Sequence, residues 1–141
     1  LDPRWIRLRI GLGALRLQEA VASESEPARQ LRRLLETHLA LADEFQRESR
    51  IFFLNADQLD QSRNMRQREI QRAVLDVYLE VLGRLARQGR LKSRRVKILA
   101  FNILGVLNWM LRWYRPEGEL SATEVHKEII GFVQRGIGLA D

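Results

Sequence analysis

The stretch from Val96 to Tyr114, VKILAFNILGVLNWMLRWY, has the residue choice of a helix but almost no polar face. Val96, Leu99, Ile103 and Met110 mark one side, Ala100, Leu107 and Tyr114 the next, and Phe101, Leu104 and Leu111 a third. A helix that is apolar all round has to be covered all round. It therefore lies at the centre of a bundle or meets a partner chain. Lipid is excluded as the cover: the run from Ile98 to Leu111 contains two asparagines and stops at Arg112, well short of the roughly 20 residues a membrane span needs.

The remaining sequence agrees with a helical partner set. Prolines occur only at 3, 27 and 116, and apolar residues recur at spacings of three and four with no period-2 stretch, so the expected fold is all-α, with five to six helices. A first helix is expected from Arg4 to Val21, ending in ASESEP, and a second from Pro27, a residue suited to the first helical turn. The stripe of the second is Leu31, Leu34, Leu35, His38, Leu41, Ala42 and Phe45. A short third helix carries RIFFLNADQL, and a fourth runs from Ser62 to Gln88, with Gly89 as a left-handed cap. Ser93 is the expected cap of the fifth helix, which RPEG ends near Arg115. Ser121 and Glu124 have capping-box spacing and open a last helix with Val125, Ile129, Phe132, Val133 and Ile137 inward. Gly131, Gly136 and Gly138 allow that helix to pack closely, so a dimer interface built from the last two helices is expected.

At 141 residues the chain fits one domain that buries roughly 68 to 70% of its unfolded surface. The absence of cysteine excludes disulfides and thiolate chemistry and suits a reducing, cytoplasmic setting. Arginines at 4, 7, 9 and 16 interrupt the N-terminal apolar residues, so no signal peptide is expected. Catalysis lacks its usual parts: the histidines are only His38 and His126, there is no G-x-S-x-G or H-E-x-x-H, and GLGAL is not a dinucleotide fingerprint. The expectation is a protein that is not an enzyme, with no metal and no cofactor.

Three features carry the functional question. His38 sits on the apolar face of the second helix, where it is a hydrogen-bonded core residue or a ligand contact, whereas His126 reads as surface. The run from Arg84 to Lys97 holds seven positive charges and no acid, either a solvated loop or a contact for DNA backbone or a phosphorylated ligand. In NWMLRWYRPEG, Trp109, Arg112 and Trp113 share a face and Asn108, Arg112 and Arg115 an adjoining one. These are either packing residues, with Arg112 stacked on a tryptophan, or the wall of a pocket for an apolar body with an anionic end.

The run from Asn108 to Ile137, NWMLRWYRPEGELSATEVHKEIIGFVQRGI, resembles the closing two helices of TetR-family transcriptional repressors, in particular those that respond to acyl-CoA thioesters. The upstream helix order resembles that family as well. The resemblance implies a TetR-like C-terminal helical bundle spanning residues 1–141, with a connecting helix over 1–22 and dimerisation helices over 93–139. It implies a homodimer formed by the last two helices as a four-helix bundle, and a cavity between the first, second, fourth and fifth helices. The ligand contacts it suggests are His38, Phe52, Tyr78, Asn108, Trp109, Arg112, Trp113 and Arg115, and the dimer contacts Phe101, Leu104, Leu111, Ile129, Phe132, Val133 and Gly136. Its implied partners are a second copy, a small hydrophobic or acyl-CoA-like effector, and operator DNA reached through a helix-turn-helix that is expected to precede this sequence; no membrane is implied. Two other readings stay open: a helical protein-interaction module without a ligand, and an RNA-binding helical protein using the basic run.

Overall fold

A computed structural model describes residues 3–44 and 61–139, and side chains within them from 12 and from 68 onward. Five helices occur among these residues: α1 (Pro3–Ala22), α2 (Pro27–Glu44), α3 (Gln61–Arg87), α4 (Val96–Trp113) and α5 (Ala122–Gly136). The described residues contain no strand. The expected short helix around RIFFLNADQL, with Phe52, lies outside them.

The core is built from α2 and α3. Leu31, Leu34, Leu35 and Leu39 of α2 and Tyr78, Val81, Leu82 and Leu85 of α3 are fully buried. Each set recurs at helical spacing, so one stripe per helix is removed from water, and α1, α4 and α5 close around them through Leu17, Ala100, Ile103, Leu107, Val125 and Ile129. Burying a leucine of this kind stabilises by about 1.5–3 kcal/mol.

The helix ends are chemically defined. Glu26 accepts from the Arg29 backbone N–H and so caps α2, with Pro27 in the first turn. The Ala28 and Arg29 backbone N–H groups and the Arg90 guanidinium, which pairs with it, hold the Glu26 carboxyl below its usual range. α3 ends at Gly89, φ +68°, where the Gly89 N–H donates to Ala86 and the Arg90 N–H to Leu85, the paired bonds of a Schellman cap. α5 ends the same way at Gly138, φ +81°, and a Cβ there would also collide with the Lys92 side chain. The Lys92 N–H donates to the Ile137 carbonyl. That bond ties the α3–α4 loop to the end of α5.

One boundary differs from expectation. Ser93 does not cap α4; its hydroxyl accepts from the Arg95 N–H, and the helix begins only at Val96 with no side-chain cap. The other end is as the sequence suggests: Tyr114 turns extended and the Gly118 N–H donates to the Arg115 carbonyl across Pro116. The Ser121–Glu124 capping box is formed in full. Of the three glycines of the last helix, only Gly138 meets another element; a Cβ on Gly131 would touch its own helix's Arg135, and around Gly136 the space is open. His126, expected at the surface, is only 20% exposed, with Nε2 2.9 Å from Asp43 Oδ2 at the end of α2. The approach is off-line for a hydrogen bond, which leaves that nitrogen and Asp43 Oδ1 sealed without a hydrogen-bond partner.

Part of the basic run is structural. Arg84 donates to Gln30 Oε1 through two nitrogens and to Glu80, while Gln30 donates to the Val21 and Glu24 carbonyls. Gln30 is the buried polar residue among the described core, and this relay joins the end of α1 to α2 and α3. With Arg90 on Glu26 and Lys92 over Gly138, the loop is held at the end of the bundle where α1 finishes. Pro3 begins the same helix roughly 30 Å away at 1.5 Å per residue.

Candidate ligand cavity and the exposed face of α4

A cavity of about 830 Å³ lies between α1, α2, α3 and α4. It falls in the size range of small-molecule sites. Small residues leave the room: Gly13 and Ala14 on α1, Ala42 on α2 and Gly105 on α4 all face it, where larger side chains would have filled the space. Leu17, Leu41, Val74, Leu75, Leu104 and Leu111 supply apolar wall. The polar wall is His38, Asn108 and a stretch of α3 containing Arg68, Glu69, Gln71 and Arg72. Arg68 and Arg72 are one turn apart and exposed, so the cavity has a cationic edge toward solvent.

His38 occupies the side of the cavity nearest the core. Its Nδ1 is 2.8 Å from the hydroxyl of Tyr78, with the rings tilted at 45°. Burial pushes the His38 pKa down to about 4 and raises that of Tyr78 well above the usual phenol range. Both groups are therefore neutral at pH 7. Tyr78 is fully buried and its hydroxyl proton has one acceptor at hand, so the satisfied arrangement is Tyr78 O–H donating to Nδ1, with the ring proton on Nε2.

The other expected ligand contacts are placed differently. Asn108 is on the cavity wall, and Tyr78 stands behind it through His38. Trp109, Arg112, Trp113 and Arg115 are outside it and exposed, Trp109 at 61%. Arg112 stacks on the Trp109 ring with its guanidinium carbon 5.7 Å from the centroid, and Trp113 meets Tyr114 edge-on at 6.4 Å. The cavity side of α4 runs through Phe101, Leu104, Gly105, Asn108 and Leu111, and Trp109 and Trp113 lie past its edge. The residues missed in the sequence are the small ones, together with Arg68 and Arg72. Gly13, Ala14, Ala42 and Gly105 carry no local signal in the sequence, because they come to line one space only when the helices pack.

The expected dimer contacts also divide. Phe101, at the cavity's edge, and Gly136 are exposed, and Phe132, expected to face inward, is 60% exposed because the buried stripe of α5 runs through Val125, Ile129, Ile130 and Val133 instead. Leu104 and Leu111 line the cavity, and Ile129 and Val133 are buried in the chain's own core. Exposed Ile98, Phe101, Trp109 and Trp113 of α4 together with Phe132 of α5 leave a large apolar surface uncovered. Monomeric proteins seldom leave such a surface open.

Among the described residues no group of histidine, aspartate or glutamate could hold a metal ion, and no helix is long and apolar enough to cross a membrane. The family model for the tetracyclin repressor-like C-terminal domain matches residues 24–137. The chain belongs to that family and is the C-terminal domain of a TetR-type transcriptional regulator. Solved regulators share the fold. A TetR/AcrR-family regulator from Thermobifida fusca superposes with a TM-score of 0.83 at 22% identity, over 93% of this chain and 69% of that one. The TetR-family regulator PfmR from Thermus thermophilus gives 0.78 at 24%, over 96% and 74%. AibR, solved in complex with isovaleryl coenzyme A and operator DNA, gives 0.72 at 18%, over 97% and 75%. No curated protein sequence matches the chain.

Proposed function

We propose that this domain senses a hydrophobic acid or acyl-CoA-type effector and, as a homodimer, releases a TetR-type repressor from operator DNA. The observation that carries the reading is the cavity walled by α1, α2, α3 and α4, apolar within and edged by Arg68 and Arg72. Aliphatic side chains suit an acyl body, and guanidinium groups suit a carboxylate or phosphate. The isovaleryl coenzyme A bound by AibR, a protein of the same fold, supports that ligand class.

α1 connects ligand to DNA in this mechanism. Gly13, Ala14 and Leu17 form one wall of the cavity, while the Gln30 relay holds the far end of α1 at Val21. A ligand that needs the wall displaced swings the N-terminal part of α1 about that fixed end. A DNA-reading head carried before α1 then loses its spacing to the partner's head, and half-sites a helical turn or a multiple apart are no longer matched. The ligand acts only to the extent that it binds the two arrangements unequally. The α3–α4 loop, at the opposite end of α1, is too distant for its free arginines to reach the same DNA.

The second copy covers Ile98, Phe101, Trp109 and Trp113 of α4 and Phe132 of α5, which explains why α4 has no polar face. Residues 93–139 then serve as the dimerisation segment and the protein works in the cytoplasm. Thermal melts with a panel of acyl-CoAs test the effector: a ligand at 100 times its dissociation constant stabilises the folded state by about 2.7 kcal/mol. No shift with any member would leave a helical interaction module, for which the open apolar face is the supporting feature. Sedimentation at micromolar concentration tests the dimer, and a monomer there refutes it.

A further inference from the structure

The cavity has polar groups at two levels with apolar wall between them. At the solvent edge are Arg68 and Arg72, with one carboxylate, Glu69, in the same stretch of lining. At the core side is His38. Its Nδ1 is occupied by Tyr78, which lies six residues along α3 from Arg72 and ten from Arg68, so the two levels are separated by about 9 to 15 Å along the helix axis. The remaining ring nitrogen, Nε2, has no hydrogen-bond partner among the described residues and is not among their sealed unpartnered atoms, and the residue itself lines the cavity. A hydrogen-bonding group kept deep in an apolar wall selects for a complementary atom, since an apolar ligand end leaves it unpaired.

We propose that the cavity selects an amphiphile about as long as a medium-chain acid, anionic at the edge and bearing an uncharged oxygen, hydroxyl or carbonyl, at its inner end, where His38 Nε2–H donates to it. This rests on the reading of the cavity as the effector site. Tyr78 is the positioning residue: by holding Nδ1 as an acceptor it keeps the proton on Nε2 and the ring fixed. An inner carboxylate is disfavoured, because it would lose its hydration facing a neutral imidazole among leucines. An inner methyl is accommodated but gives Nε2 no acceptor. Hydroxylated or oxo acids are therefore discriminated from both their parent acids and the corresponding diacids.

Isothermal titration of the chain with decanoate, ω-hydroxydecanoate and decanedioate tests the selection. The hydroxy acid is expected to bind about fivefold more tightly than decanoate, the net worth of one neutral hydrogen bond, and the diacid more weakly than either. In the double variant His38→Leu/Tyr78→Phe, which removes both partners and leaves no orphaned hydroxyl, decanoate should bind at least as well as the hydroxy acid. Equal affinities for decanoate and the hydroxy acid in the unaltered chain, a preference for the diacid, or a preference that survives the double variant each overturn the proposal while leaving the cavity as the effector site. Binding of none of the three overturns the proposal and leaves the effector site to the acyl-CoA melts, whereas binding unaffected by Ala14→Trp, which fills the cavity from α1, overturns both readings together.

Discussion

α2 and α4 are each 18 residues long and pack against the same α3, yet they present opposite cases. On α2 the leucines at 31, 34, 35 and 39 are fully buried while Arg29, Arg32, Arg33 and Glu36 face solvent, so its sequence states its orientation. On α4 the buried stripe is Ala100, Ile103, Leu107 and Met110, and the outward side still carries Ile98, Trp109 and Trp113, with Phe101 exposed at the cavity's edge. The difference separates two kinds of apolar residue. Those of α2 stabilise this chain, and those on the outside of α4 contribute nothing until something covers them.

Substitutions on the two helices should therefore part company, and the largest effect belongs to α2. Leu35→Ala, at a fully buried position, is expected to cost about 2–5 kcal/mol of folding stability by denaturant titration. A cost under about 1 kcal/mol would mean that the α2–α3 core is not the one described. The next effect is electrostatic and also on α2. His38 takes a proton near pH 6.5 when unfolded but only near pH 4 when folded, so the unfolded state binds more protons between those values. Stability is fully present above about pH 6.5 and falls as the pH drops toward 4, by at most about 3 kcal/mol from this group. The double variant His38→Leu/Tyr78→Phe should flatten that part of the pH profile, and an unchanged slope would place the histidine in water.

Trp109→Ala reverses the pattern. Removing a side chain that is 61% exposed should change the stability of the isolated chain by no more than about 0.5 kcal/mol. It should nonetheless weaken self-association by about 2 kcal/mol, as expected of a central interface tryptophan, read from the concentration dependence of sedimentation. Equal losses in both measurements would erase the distinction between the helices. The smallest effect is at Gly105 of α4, where a Cβ would meet nothing within 4 Å. Gly105→Ala should stabilise the isolated chain by about 0.5–1 kcal/mol through helix propensity alone. A loss of association in the same variant would show that the second copy approaches the α4 backbone at this position.

The fold was legible because its signals are local. The capping box at Ser121, the left-handed cap at Gly89 and the stop at Pro116 each act within a few residues, and all three appear in the structure. Ser93 was misleading because a serine before a helix caps it only if the chain turns there, and here its hydroxyl serves Arg95 inside the loop. The candidate site was half legible. His38 and Asn108 were readable as polar residues among apolar ones, and both face the cavity. Trp109 and Trp113 drew notice by size, but a cavity is made where size is missing, and Gly13, Ala14, Ala42 and Gly105 give no signal until they face one another.

What the sequence by itself determined is the all-helical class, where most of the described helices begin and end, and the buried stripe of α2. Periodicity and caps suffice for that, being set by residues within one or two turns. The tertiary structure alone decided the rotation of α4, because a helix with apolar residues on every side has no phase to read. It also decided that small residues from three helices meet to leave room for a ligand, and that Tyr78 stands behind His38, 40 positions away, to hold its imidazole in place.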